Sequence, residues 1–230
     1  MHDYAHRWRA GLPASRSARR AAPALCAVLL IFGCARREPH ADGARLRLVP
    51  TAPNLTECLC AIGAGDLLVG RTESCDFPPE TVRLIPVTGG FGTPYMEPLL
   101  ATRPTHVLET VLADPEFNRR LQALHIPVVH IACTRLAEIP DALCQLGVLT
   151  GQTAAAKRLA DAIRTGVATA RTERTANAPR PRVLLLFAPD TPITAGRNAF
   201  ISELLDLAGG VNIGGSSLTD YYHVSLEWLL

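Results

Sequence analysis

The stretch Thr153–Thr175 is long, alanine-rich and free of proline. Alanine, leucine, lysine and arginine enter a helix at little entropic cost, and nothing inside the stretch stops one. At 1.5 Å per residue, a helix of roughly twenty residues is about 30 Å long, the width of a small domain. A rod of that length divides the chain into a larger part before it and a smaller part after it.

Strand and helix signals alternate on both sides of the rod. Before it, Arg45–Thr51 (RLRLVPT) reads as a strand broken by proline. A helix follows from Pro53 to about Ile62, with Asn54 as expected N-cap and Glu57 three residues on, and stops at Gly63-Ala64-Gly65. Leu67–Arg71 reads as a second strand, Val87–Pro94 as a glycine-rich turn and Glu97–Thr102 as a short helix. Thr105–Glu109 and Val128–Ile131 read as strands around a helix over Pro115–Leu124, and Leu136–Leu149 is helical. After the linker Ala176–Pro181, Arg182–Phe187 (RVLLLF) reads as one strand and Phe200–Ala208 as a helix, with a turn-rich segment running to Val224. Alternation with short loops predicts an α/β fold on a parallel sheet: two lobes joined by one long helix.

Residues 1–33 carry five arginines and a single acid, Asp3. Without them the chain holds 18 basic and 20 acidic side chains, a net charge of −2, which gives no footprint for nucleic acid. The apolar run 21–33 is 13 residues long. A membrane-spanning helix needs about 20, so the run fits the core of a signal peptide instead. It ends on Gly33-Cys34 and turns polar at once. That ending resembles the lipobox of bacterial lipoproteins, which implies cleavage before Cys34, lipidation of Cys34 and anchoring of the mature chain to a membrane. A plain signal peptide cleaved nearby is the alternative.

Cys26 lies within the apolar run and Cys34 at its end, and five cysteines lie beyond them: Cys58, Cys60, Cys75, Cys133 and Cys144. Five is odd, so at least one stays unpaired or pairs between chains, and an exported compartment permits a disulfide whose partners the spacing leaves open. Cys58 and Cys60 fall on opposite sides of a helix, and no second Cys-x-x-Cys or His pair completes a zinc set, so no metal site is expected. His106, His125, His130 and His223 are scattered. The glycines around Gly63 end a helix instead of opening one, which rules against a dinucleotide loop. No catalytic triad or nucleophile elbow is present, and the chain is not expected to be an enzyme.

Four segments carry a family resemblance, in order along the chain: RLRLVPTAPNLTECLCAIGAGDLLVGRTESCDFPP, VTGGFGTPYMEPLLATRPTHVL, RVLLLFAPDTPITAGRNAFISELLDLAGGVNI and VSLEWLL. Together they resemble the vitamin B12-binding proteins and their iron-siderophore and haem-binding relatives, the class III, helical-backbone periplasmic binding proteins of ABC importers. The resemblance implies two Rossmann-like lobes, a stiff connecting helix and a ligand cleft between the lobes. It implies a small-molecule ligand, cobalamin or an iron chelate, and no resident cofactor. It also implies the permease subunits of an importer as partners, and an extracytoplasmic location. A metal-ion receptor of the same superfamily, or an α/β enzyme using the cleft, are the alternatives.

The resemblance also assigns residues. Phe91 of GGFGTPYME stands where the B12 binders carry an aromatic that faces the ligand, and Tyr221, with Tyr222 beside it, matches a second aromatic near the VS-x-E segment. Ser74 stands where the family carries a tyrosine. Ordinary loop packing is the competing account of these rings. Glu97 and Glu227 match the glutamates, one on each lobe, that dock on importer arginines; the competing account is a helix-start glutamate stabilised by the helix dipole. The implied organisation is a signal peptide over 1–33, a lipid-anchored tether over 34–44, an N-terminal lobe over 45–150, the connecting helix over 151–178 and a C-terminal lobe over 179–230. Family members continue past the VS-x-E helix, so the second lobe is expected to be truncated, with a fragment or an interrupted gene as the explanation and a genuinely shortened protein as the alternative.

Overall fold

Successive residues of a strand point to opposite faces of its sheet, and the first half of the chain uses both faces. The computed structural model describes residues 45–110, 114–173, 179–187 and 192–229, all within the compact unit Ala44–Leu230. Strand β1 (Leu48–Pro50) leads into helix α1 (Pro53–Ala61). Short helix α2 (Pro79–Val82), the hairpin of β2 (Gly89–Gly90) and β3 (Thr93–Pro94), and helix α3 (Met96–Ala101) follow. Then come β4 (His106–Glu109), α4 (Pro115–Ala123) and β5 (Val128–His130). Strands β1, β4 and β5 lie side by side in that order and are parallel.

Leu48 of β1 and Leu108 of β4 join one buried cluster with Leu55 and Leu59 of α1. Val49 and Val107, one residue out of phase, join a second with Leu99 of α3 and Leu121 of α4. The sheet is therefore covered on both faces, as parallel sheets require, because each face is apolar. The strands read as near-continuous apolar runs for the same reason.

Helix α5 (Ile139–Thr150) turns through Gly151, at φ +73°, into the long helix α6 (Thr153–Glu173). The two helices pack closely. A Cβ placed on Gly147 would lie 2.4 Å from the Cβ of Ala156, so only glycine fits that crossing. Ala156 and Ala160 are fully buried along the same seam. Among the described residues no helix is long and apolar enough to cross a membrane.

The second half holds β6 (Arg182–Val183), β7 (Leu186–Phe187), β8 (Ile193–Ala195), α7 (Phe200–Leu207), β9 (Val211–Asn212), β10 (Tyr221–His223) and α8 (Leu226–Leu229). Here β10, β8 and β7 form an antiparallel sheet, while β6 and β9 pair in parallel. Both buried apolar clusters belong to the first half and to α6.

Three local expectations are corrected. Asn54 is not the N-cap of α1: Ala52 is, and the Asn54 amide donates to the Cys133 carbonyl at 2.6 Å. Leu67–Arg71 is not a strand but carries two isolated bridges, Leu48 to Leu68 and Arg71 to Val87. RVLLLF is two short strands, because Arg182–Val183 pairs with β9 and Leu186–Phe187 with β8.

Candidate ligand-binding face

Ligands of open α/β sheets bind beyond the carboxyl ends of the strands. In this chain Thr51 follows β1 and Thr110 follows β4. The hairpin β2–β3 is fastened across that edge: Gly92 N–H donates to the Thr51 carbonyl at 2.9 Å, and Thr51 N–H donates to that of Leu108 at 2.9 Å. Gly89 makes the hairpin possible. Its φ is +145°, and a Cβ there would meet the Pro94 backbone at 2.5 Å. Glu73 N–H donates to the Gly89 carbonyl at 2.9 Å, which ties the loop containing Ser74 to the same hairpin. The result holds Phe91 at the tip, 53% exposed. Tyr95, another exposed ring, stands just past β3.

Beside the hairpin lies a buried carboxylate that sequence reasoning passed over as a strand end. Glu109 closes β4 and is 3% exposed. The Asn118 amide donates to its two oxygens at 3.3 and 3.4 Å, and His130 Nδ1 lies 3.9 Å from one of them. The available signal was a pair of polar residues, Glu109-Thr110, ending an apolar strand. His106, on the same strand, has its pKa lowered by burial.

On the second half, Tyr221 is half exposed and meets Phe187 edge to face, centroids 5.8 Å apart. The two rings flank β8 and form an open aromatic platform. Burial, then the nearby Asp220, pushes the Tyr221 hydroxyl up. Tyr222, the next residue, is committed elsewhere. Its hydroxyl donates to the Gly214 carbonyl at 2.8 Å, and its ring meets Trp228 edge to face at 6.4 Å. Neighbouring strand residues face opposite ways, so the structure does not bring Tyr221 and Tyr222 to one surface.

The two halves touch through charge. Arg135 Nε lies 2.5 Å from Glu203 Oε1, and its guanidinium donates to the Asn198 carbonyl at 2.5 Å. The other Glu203 oxygen accepts Leu136 N–H at 2.8 Å. Glu138 braces this turn by accepting the N–H groups of Thr134 and Arg135. Next to it lies a cavity of about 530 Å³, lined by Leu136, Ala137, Arg171, Arg197, Glu203 and Asp206 among others. Neither Phe91 nor Tyr221 lines it. No sequence signal pointed to Arg135 and Glu203, because the pair is remote in the chain.

Glu97 is exposed in the first turn of α3. Glu227 is exposed in the first turn of α8, and hydrogen bonds from the Ser225 hydroxyl and its own backbone amide lower its carboxyl pKa. Cys34 and the export signal lie outside the described residues. No group of three or more His, Cys, Asp or Glu side chains able to hold a metal ion occurs among the described residues.

Residues 48–230 match the model of the periplasmic binding protein family. The chain belongs to that family. Within it, the chain is similar to the vitamin B12-binding protein of Pectobacterium carotovorum, 29% identical over 186 residues, which are 80% of this chain and 67% of that one. The chain thus spans about two thirds of the length of the curated relatives it matches. Among solved structures it is similar to the periplasmic heme-binding protein RhuT from Roseiflexus, with TM-score 0.72 and 26% identity over 81% of this chain and 73% of that one. It is also similar to the vitamin B12-binding protein BtuF of Vibrio cholerae, with TM-score 0.68 and 26% identity over 80% and 71%. The mixed α/β architecture, with parallel strands and a long helix, is that of the class III periplasmic binding proteins.

Proposed function

We propose that this chain is the extracytoplasmic receptor of an ABC importer, that its ligand is a cobalamin-like corrinoid, and that it delivers the ligand to the permease subunits. The observation that carries the reading is Phe91, an exposed ring on a hairpin that glycine geometry and the Thr51 carbonyl hold over the carboxyl edge of the sheet. A ring carried on a fixed backbone in that position offers a flat apolar face to a planar macrocycle. The Phe187–Tyr221 platform supplies a second such surface. The likeness to a vitamin B12-binding protein supports the corrinoid reading. Haem is the second reading, favoured by the likeness to RhuT; an iron-siderophore is a further chelate of this class.

The proposal extends to the remaining assignments. Residues 45–150 and 179–230 serve as lobes about a connecting helix over 151–178. Lipid on Cys34 anchors the mature protein at the membrane. Glu97 and Glu227 dock on permease arginines, for which two exposed carboxylates are suited because arginine pairs with a carboxylate bidentately.

Titration of the purified protein with cyanocobalamin, haemin and a ferric siderophore, followed by absorbance and calorimetry, tests the ligand. Saturable one-to-one binding of cyanocobalamin is expected. Saturation by haemin alone replaces the corrinoid with haem, and saturation by none of the three overturns the receptor reading.

A further inference from the structure

Cys58 and Cys133 stand apart from the other described cysteines. Cys58 lies one helical turn after Asn54 on α1, so the two share a face of the helix. Asn54 grips the Cys133 carbonyl, which fixes the loop after β5 against that face. Both cysteines belong to the same apolar cluster, Cys133 buried and Cys58 half-buried. The two thiols act on each other, and this interaction is the first cause of the raised pKa of Cys58 and of the lowered pKa of Cys133.

The other three are placed differently. The Cys75 sulfur sits 3.2 Å from each of the Thr56 and Thr72 hydroxyls. The Cys60 sulfur points at Gly65, 3.3 Å from where a Cβ would stand. Cys144 lies on α5, close enough to Arg164 of α6 to act on its charge.

We propose that Cys58 and Cys133 are a redox pair that closes to a disulfide when the protein meets a disulfide-bearing oxidant. The steps balance as follows. The Cys133 thiolate attacks one sulfur of the oxidant, forming a mixed disulfide and releasing the oxidant's other sulfur as a thiolate. Cys58 gives up its proton and attacks the Cys133 sulfur, expelling the second thiolate. Two protein thiols are oxidised, and one oxidant disulfide is reduced to two thiols. The bond needs the two sulfurs to close to about 2.05 Å. It would tie α1 to the loop that carries Arg135, and so brace the turn that holds Glu203 of the second half.

The test uses the full chain with oxidised glutathione as the probe. After oxidation, free thiols are blocked with iodoacetamide, and the protein is digested with trypsin without reduction. The expected product joins the peptide Leu48–Arg71 to Leu121–Arg135. Fragment ions assign the bond to Cys58 and not to Cys60, which shares the first peptide. The link persists in Cys60→Ser and disappears in Cys58→Ser. Full alkylation of both peptides after oxidation overturns the proposal, as does a link that maps to Cys60 or joins Cys133 to Cys75 or Cys144. The mapping on the unsubstituted chain decides the matter even if Cys58→Ser fails to fold.

Discussion

Phe91 is held by its backbone and not by its ring, and this makes it a clean site for substitution. Removing the ring leaves Gly89, Gly92 and the Thr51 contact in place. Phe91→Ala is therefore expected to weaken ligand binding by about 1–3 kcal/mol with little change in Tm. Calorimetry and a melting curve check both halves of that statement. His106 gives a pH prediction. Its folded pKa is depressed by burial, so the unfolded chain takes up a proton first as pH falls. The stability it contributes is present above the unfolded value of about 6.5 and declines as pH drops from there toward the folded pKa. His106→Asn is expected to lose less Tm between pH 7.5 and pH 5.5 than the unsubstituted protein. An equal loss in both would assign the decline to other groups.

The seam between α5 and α6 rests on the absence of a side chain at Gly147. Gly147→Ala puts a methyl 2.4 Å from Ala156, and the helices must part or the backbone must bend. The expected cost is about 1–3 kcal/mol, read as a fall in Tm of several degrees. The helices were legible in the sequence because α6 has continuous propensity and α5 ends on a left-handed glycine. Strands β1, β4 and β5 were legible because both faces of their sheet are apolar. What failed were features decided by distant partners. Asn54 carries the chemistry of a cap, but the helix starts before it at Pro53, and its amide reaches across to the Cys133 carbonyl. The run RVLLLF has the pattern of one strand, but two neighbours claim its two ends. The same limit governs the site. Phe91 was readable from a glycine-rich loop and a resemblance, whereas Glu109 gathers Asn118 and His130 from separate elements.

At the scale of the whole molecule, Arg135 and Glu203 join the halves. The pair is partly shielded, so double-mutant coupling between Arg135→Ala and Glu203→Gln is expected to be about 1 kcal/mol in unfolding free energy, smaller in high salt. No coupling would mean that the halves are held by other contacts. The proposed docking role of Glu97 and Glu227 also belongs to this scale. Reversing both charges is expected to abolish uptake in a transport assay while ligand affinity stays unchanged. Uptake that survives, or affinity that falls with it, counts against docking. The Arg135 contact has a further consequence, for the time course of capture. Halves already fastened in the free protein have no slow rearrangement to wait for when ligand arrives. In a stopped-flow trace the observed rate should then rise in proportion to ligand concentration without levelling off. The encounter itself, and not a change of shape, would set how fast the receptor fills.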